Sequence, residues 1–194
     1  MAGETTTGSS TSKIVTANGT YEASVVGTKD GVSSSTITKQ VTVSNIIVTT
    51  SKDYTGYYAD VNDDGTVDGV IFIDLAQGAS GNWNPGNNSW AASNNTGVYS
   101  YSAVTSGLRS YKISTKISSY SGKFGTKPVI APNGTSGSPR FHVMALSDYG
   151  YYNWNDARST QTVGSVTFRL PSKMEWAAFG GQFAITTSDY SSTY

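Results

Sequence analysis

The stretch from Phe168 to Gly181 constrains the fold more than any other part of this chain. Ser172 and Glu175 have the S-x-x-E spacing of a capping box, in which each side chain hydrogen-bonds the backbone N–H of the other residue. Pro171 has no N–H to give to a sheet, so it ends the preceding strand. Gly180-Gly181 provides a residue able to adopt positive φ and stop the helix. These signals predict a short helix over residues 173–179.

This helix has an apolar face. Trp176 and Phe179 lie three residues apart and therefore on the same side, where they are expected to pack against a sheet. The rest of the chain is rich in Ser, Thr, Gly, Asn and Tyr and poor in Leu and Glu. That composition disfavours a helical protein and favours short strands joined by many turns. The sequence therefore predicts a β-rich fold in which this helix is the principal one.

Two motifs resemble the formylglycine-generating-enzyme-like branch of the C-type lectin fold. The segment Arg169–Trp176, followed by Ala178 and a glycine pair, is similar to the R-L-P-T-x-x-E-W-x-x-A-x-x-G-G signature of that branch. The segment Asn153–Ala157 is similar to its S-W-x-D-A segment, which opens the preceding helix. The resemblance covers residues from about 50 to 194. It implies an α+β, C-type-lectin-like domain, β-rich with two short helices near 153–159 and 173–179.

The resemblance also implies a function. Within the branch, the chain is similar to variable proteins of diversity-generating retroelements and to gut bacterial or phage surface proteins. Such domains display a ligand-binding loop surface on a rigid base, and recognition residues commonly lie on loops of this kind. The expected role is a non-catalytic receptor-binding or adhesin domain, extracellular, on a bacterial cell surface or a phage virion. Family members continue with further strands after the helix, so the domain is expected to be C-terminally truncated.

The N-terminal part predicts a separate β segment. The runs Gly19–Gly27 and Thr36–Val43 alternate with period two, which predicts a hairpin. The pattern resembles the last hairpin of a bacterial immunoglobulin-like module, with Tyr21 near the start of its penultimate strand. We predict a flexible lead-in and partial Ig-like segment over residues 1–48, acting as a spacer. The C-type-lectin-like ligand-binding domain then occupies residues 49–194.

A run of acidic and amide residues lies just before a strongly apolar strand. Its side chains fall at loop positions 1, 3, 5 and 9, with a glycine for the sharp turn, and alternating oxygen ligands on a tight loop suit Ca²⁺. The position of the acidic twelfth residue of an EF-hand is Ile71 here, so a calcium-binding β-hairpin is the better match. The alternative is an Asp/Asn/Gly turn that holds no metal. The predicted ligands are Asp60, Asn62, Asp64, Thr66 through its carbonyl, and Asp68.

Aromatic residues on polar stretches predict the recognition surface, with a cell-surface protein or a glycan as the partner. Tyr and Trp supply rigid contact area, and neighbouring Ser and Asn supply adaptable hydrogen bonds. The alternative for each tryptophan is that it fills the side of a small core. The predicted ligand-binding residues are Trp83, Trp90, Tyr149, Tyr151, Tyr152, Trp154, Asp189, Tyr190 and Tyr194.

Composition bears on the remaining classes. Thirteen basic residues balance thirteen acidic ones, and no basic patch stands out, so nucleic acid is not an expected partner. No apolar run approaches the roughly 20 residues of a membrane helix, so no membrane insertion is expected. The absence of cysteine rules out a disulfide framework and the thiol chemistry of formylglycine-generating enzymes.

An enzymatic role is the least favoured interpretation. His142 is the only histidine and lies in the apolar run Arg140–Leu146, which predicts a buried central strand rather than a catalytic or metal site. A carbohydrate-active enzyme would need two carboxylates flanking a cleft, and no such pair stands out. A purely structural spacer or stalk module of a surface fibre remains the other alternative to ligand binding.

Overall fold

The computed structural model describes residues 12–84, 97–147 and 153–184 of the 194-residue chain. The chain divides into two compact units, Met1–Ile46 and Ile47–Tyr194; the predicted boundary was between residues 48 and 49. The described part is β-rich with two short helices, which confirms the coarse fold class. Helix α1 spans Trp154–Ala157 and helix α2 spans Lys173–Gln182, close to the two predicted helices.

The first unit is built from hairpins. Strand β1 (Gly19–Val25) pairs antiparallel with β4 (Ile37–Val43), and between them β2 (Thr28–Lys29) pairs with β3 (Val32–Ser33). The β1–β4 register places Tyr21 opposite Val41 on a face that is apolar apart from Lys39. The opposite face carries polar pairs such as the hydrogen-bonded hydroxyls of Thr20 and Thr42. The period-two alternation therefore predicted this hairpin correctly.

The second unit centres on a five-stranded sheet. Its strands are β5 (Tyr58–Ala59), β6 (Gly69–Asp74), β9 (Tyr111–Ile113), β12 (Val129–Pro132) and β13 (Phe141–Ala145). Their order in the sheet is β13-β6-β5-β12-β9, and β5–β12 is the only parallel pair among the described strands. Strand β6 is buried along its whole length. Its uninterrupted apolar run is therefore typical of a strand that is covered on both faces of the sheet.

Three further two-stranded sheets belong to this unit. Strand β7 (Ala79–Trp83) pairs with β8 (Gly97–Tyr101), β10 (Tyr120–Gly122) with β11 (Gly125–Lys127), and β14 (Gln161–Val163) with β15 (Val166–Phe168). Helix α2 packs on the β7–β8 hairpin and on β6. The core beneath it contains Phe72, Ile73, Trp83, Tyr99, Ala177 and Ala178.

The capping box that predicted α2 is present. The Ser172 hydroxyl accepts the Glu175 N–H at 3.2 Å, and Glu175 Oε2 accepts the Ser172 N–H at 2.8 Å. The predicted stop at Gly180-Gly181 was wrong, because the helix continues to Gln182. A Cβ at Gly180 would collide with the Trp83 indole. The glycine therefore allows close packing within the helix rather than ending it.

Trp176 faces the core but is only partly buried. Its ring meets that of Trp83 edge to face at 6.4 Å and stacks on that of Phe179 at 6.1 Å. The deeper tryptophan is Trp83, at 5% exposure. The indole that anchors this side of the core therefore comes from the β7–β8 hairpin, and Trp176 covers it.

Candidate functional site

The predicted calcium loop is the turn that joins β5 to β6. These two strands pair antiparallel, so the loop lies at a hairpin tip as predicted. Gly65 has φ of +100°, a value that glycine adopts without strain. Asp60 is fully buried, and its two carboxylate oxygens accept the N–H groups of Asp64 at 3.0 Å and of Gly65 at 2.9 Å. This carboxylate therefore fixes the turn from within.

The other predicted ligands also bond within the loop. Asp68 Oδ2 accepts the Val61 N–H at 2.7 Å. Asp64 Oδ1 accepts the Thr66 N–H at 2.8 Å, and the Asn62 amide donates to Asp64 Oδ2 at 3.0 Å. All four predicted side chains therefore take part in one hydrogen-bonded turn. Thr66 contributes its backbone N–H to this turn, whereas the predicted ligand was its carbonyl.

The loop is also tied to its surroundings. The Ser165 hydroxyl, in the turn between β14 and β15, donates to Asp64 Oδ2 and accepts the Asn62 amide at 2.8 Å. Lys112 pairs with Asp63 Oδ2 at 2.7 Å, and Lys116 Nζ donates to the Asp63 carbonyl. Asp63 is the one carboxylate of the loop that the described lysines neutralise directly.

The carboxylates of the loop perturb one another. Burial raises the pKa of Asp60, and the charges of Asp64 and Asp63 raise it further, against the lowering effect of the Gly65 and Asp64 N–H groups. Burial likewise raises the pKa of Asp68, with contributions from the charges of Asp64 and Asp60. Hydrogen bonds from Ser165 and then Asn62 lower the pKa of Asp64 to about 2. The loop therefore concentrates negative charge, and burial disfavours the ionised forms of Asp60 and Asp68.

The described residues contain no group of three or more His, Cys, Asp or Glu side chains placed to hold one metal ion. A carboxylate has about four lone-pair positions, so an oxygen that accepts one N–H can also meet a cation. Calcium accepts carboxylate, amide and backbone carbonyl oxygens in flexible geometry. The donor types of the loop fit Ca²⁺, and its side chains would have to turn inward to coordinate it together.

A second polar cluster surrounds Glu175. Arg169 binds this carboxylate through both terminal nitrogens, at 2.6 Å to Oε1 and 2.8 Å to Oε2. His142 Nδ1 lies 3.2 Å from Oε1. Hydrogen bonds from Arg169, as the largest cause, lower the pKa of Glu175 to about 2 although burial opposes the shift. One carboxylate thus caps α2 and binds an arginine and a histidine.

His142 occupies a different position from the predicted one. Its strand, β13, is an outer strand of the five-stranded sheet, and its side chain is 27% exposed. Its ring packs edge to face with Phe72 at 5.9 Å and with Tyr101 at 5.5 Å. The Tyr101 hydroxyl is buried and has no hydrogen-bond partner within the described part of the chain. Periodicity could not reveal the Glu175 contact, because the two residues are 33 positions apart.

The predicted recognition residues fare differently. Trp83 is a core residue rather than an exposed ligand contact, because α2 and Gly180 close over its indole. Trp154 begins α1, and nothing further is described for its side chain. The remaining predicted positions lie outside the described residues: Trp90, Tyr149, Tyr151, Tyr152, Asp189, Tyr190 and Tyr194.

No protein-family model matches the chain. Searches of curated proteins and of solved structures return no match either. Within the described residues, no helix combines the length and apolar character needed to cross a membrane.

Proposed function

We propose that residues 49–194 form a non-catalytic ligand-binding display domain on a C-type-lectin-like scaffold. The observation that carries the proposal is the physical interlocking of the R-L-P-S-x-x-E segment. Arg169 and Ser172 both bind Glu175, and the helix that follows is packed on β6. Every polar residue of the resembling motif thus has a structural task, which supports kinship with that branch. A base of this rigidity suits the display of variable loops.

The proposed location is the surface of a bacterial cell or a phage virion. There the domain would act as a receptor-binding or adhesin module, and one form of this role is the variable protein of a diversity-generating retroelement. The Ig-like interpretation of the first unit has its own support. The Tyr21 hydroxyl donates to the Ala17 carbonyl at 2.6 Å, four residues upstream. Immunoglobulin-like domains contain a comparable tyrosine-to-backbone bond near one of their strand corners. The first unit then serves as a spacer.

We also propose that the β5–β6 loop binds Ca²⁺. Two carboxylates, Asp60 and Asp68, are buried there with raised pKa values. A divalent cation would relieve the mutual repulsion that contributes to those shifts. The role of calcium would be to stiffen the hairpin tip and the Ser165 turn bonded to it, not to perform chemistry.

The test of the main proposal is a binding screen with the full chain against glycan arrays, bacterial and host cells, and their surface proteins. A panel of chromogenic glycosides is assayed in parallel for hydrolysis. Saturable binding without turnover is expected. Turnover of a glycoside by a chain that binds no target in the screen would overturn the proposal in favour of a carbohydrate-active enzyme. Absence of both activities would favour the spacer alternative.

A further inference from the structure

A groove of about 330 Å³ lies on the second unit, and its lining residues include none of the acidic loop or of the Glu175 cluster described above. Three hydroxyl side chains line it, and no hydrogen bond among the described residues engages these hydroxyls. Three apolar side chains complete its wall, and none of its lining residues is charged. The hydroxyls belong to Thr50, Thr105 and Ser106, and the apolar side chains to Ala76, Val104 and Leu108.

A buried ion pair holds two walls of this groove. Arg140 and Asp74 are 2% and 1% exposed, and Arg140 Nε and Nη2 each bind an Asp74 oxygen at 2.7 Å. Arg140 Nη1 also donates to the Thr49 carbonyl at 3.0 Å, which fixes the wall that contains Thr50. Asp74 Oδ1 accepts the Ala76 N–H at 3.0 Å, which fixes the adjoining turn.

The third wall is anchored at both ends. The Val104 N–H donates to the Leu75 carbonyl at 2.8 Å, directly beside the ion pair in sequence. At the other end, the Ser138 N–H donates to the Gly107 carbonyl at 2.9 Å, and the Arg109 N–H to the Ser138 carbonyl at 2.7 Å. The groove is therefore set before any ligand arrives, and a preorganised site loses less conformational entropy on binding.

We infer that this groove is a subsite for a neutral saccharide. These hydroxyls belong to solvent-exposed residues, and each can donate one hydrogen bond and accept two, which matches the hydroxyl groups on the edge of a sugar ring. The apolar side chains match the C–H face of the same ring. The absence of charged lining residues disfavours acidic sugars and phosphates. A volume near the lower limit for small-molecule pockets fits one sugar ring rather than a long chain. The inference rests on the proposed recognition function and names its ligand class.

The experiment titrates the ¹⁵N-labelled full chain with methyl glycosides of glucose, galactose, mannose and N-acetylglucosamine, and with sialic acid as the acidic comparison. At least one neutral glycoside is expected to bind with Kd on the order of 1 mM, with amide shifts at residues 104–108. Thr105→Trp fills the groove and should weaken that binding by at least about tenfold. Thr115→Trp places the same bulk at another exposed threonine and should leave the affinity unchanged.

The outcomes separate the groove from the wider proposal. If Thr105→Trp and Thr115→Trp bind the glycoside equally, or if no neutral glycoside shifts the amides of residues 104–108, the groove inference is wrong. If the full chain nevertheless binds cells or surface proteins, and Thr105→Trp does not alter that binding, the recognition function stands and its surface lies elsewhere. If the chain binds nothing in either experiment, both proposals fail together.

Discussion

The second unit has two buried acidic centres, Glu175 and the β5–β6 loop with Asp60, and the pKa values of these two carboxylates shift in opposite directions. Glu175 is buried beside Arg169, and its pKa falls to about 2. Asp60 is buried more completely, and burial raises its pKa, with smaller contributions from the charges of neighbouring carboxylates. Burial penalises both charged groups, so the sign of the shift depends on what surrounds each carboxylate. Arg169 stabilises the charge of Glu175, whereas burial and neighbouring carboxylates oppose the charge of Asp60.

The two centres differ in how well the surrounding groups compensate their charges. Glu175 satisfies the N-terminus of α2 and is itself satisfied, so it has the features of a group kept for stability. The buried carboxylates of the β5–β6 loop also accept backbone N–H groups, but their charges lie near further carboxylates. Sites that hold strained electrostatics are candidates for ligand binding, although ion-pair networks also perturb pKa values.

The largest effect is expected from Glu175→Gln, which breaks the satisfied centre. The pKa depression from 4.5 to about 2 corresponds to about 3 kcal/mol of lost stability near neutral pH. Urea unfolding followed by circular dichroism measures it. Glu22→Gln is the matched control, because Glu22 lies exposed on β1, and surface changes of this kind stay within about 0.5 kcal/mol. Equal effects of the two substitutions would remove the contrast.

Calcium should give the next largest effect, through the other centre. A ligand at 100 times its Kd stabilises the folded state by about 2.7 kcal/mol, so excess Ca²⁺ should raise the melting temperature and EDTA should reverse the rise. The double variant Asp60→Asn, Asp68→Asn should lose this response, whereas Glu175→Gln should keep it. Calorimetry without a calcium heat, together with a melting temperature that EDTA leaves unchanged, would reject the metal site.

In each centre, the contacts between residues close together in the chain could be predicted from the sequence. The S-x-x-E spacing predicted the capping box, and the Asp/Asn/Gly pattern predicted the hairpin tip, because both features depend on residues close together in the chain. The motif included Arg169 but did not predict its pairing with Glu175. His142, which also contacts Glu175, was predicted to lie in a buried central strand, since apolar periodicity does not distinguish the centre of a sheet from its edge.

The same limit explains the tryptophans. Trp83 lies in a polar stretch and was predicted to meet ligand, but Gly180 allows helix α2 to approach and cover it. Gly180 was in turn predicted to end the helix. Both assignments depended on a contact between residues far apart in the chain, which neither composition nor spacing records. The buried ion pair between Arg140 and Asp74 also joins segments far apart in the chain, and no local sequence pattern predicted it.

A smaller effect is expected from Ser172→Ala, which removes one hydrogen bond of the capping box and leaves the Arg169–Glu175 pair in place. Loss of an N-cap hydroxyl costs about 0.5–2 kcal/mol. Ser172→Thr keeps a capping oxygen and should recover most of the loss, as measured by urea unfolding. A loss as large as that of Glu175→Gln would mean that the cap, rather than the ion pair, dominates this centre.

The smallest net effect is the pH dependence without calcium, because the pKa values of Glu175 and Asp64 are lowered whereas those of Asp60 and Asp68 are raised. Glu175 has a folded-state pKa below its unfolded value of 4.5, so its contribution is present above pH 4.5 and is lost as the pH falls towards 2. Asp60 and Asp68 have folded-state pKa values above 3.8, so their ionisation costs stability, and that cost disappears as the pH falls towards 3.8.

Unfolding free energies measured from pH 7 to pH 2.5 should therefore rise slightly on acidification before they fall. Asp68→Asn should reduce the early rise, and Glu175→Gln should reduce the later fall. The same pH series in excess Ca²⁺ should lack the rise in unfolding free energy, because a bound cation already stabilises the ionised carboxylates at pH 7. A steady fall from pH 7 downward that Asp68→Asn leaves unchanged would show that the loop carries no electrostatic penalty, and the reason to expect a cation there would disappear.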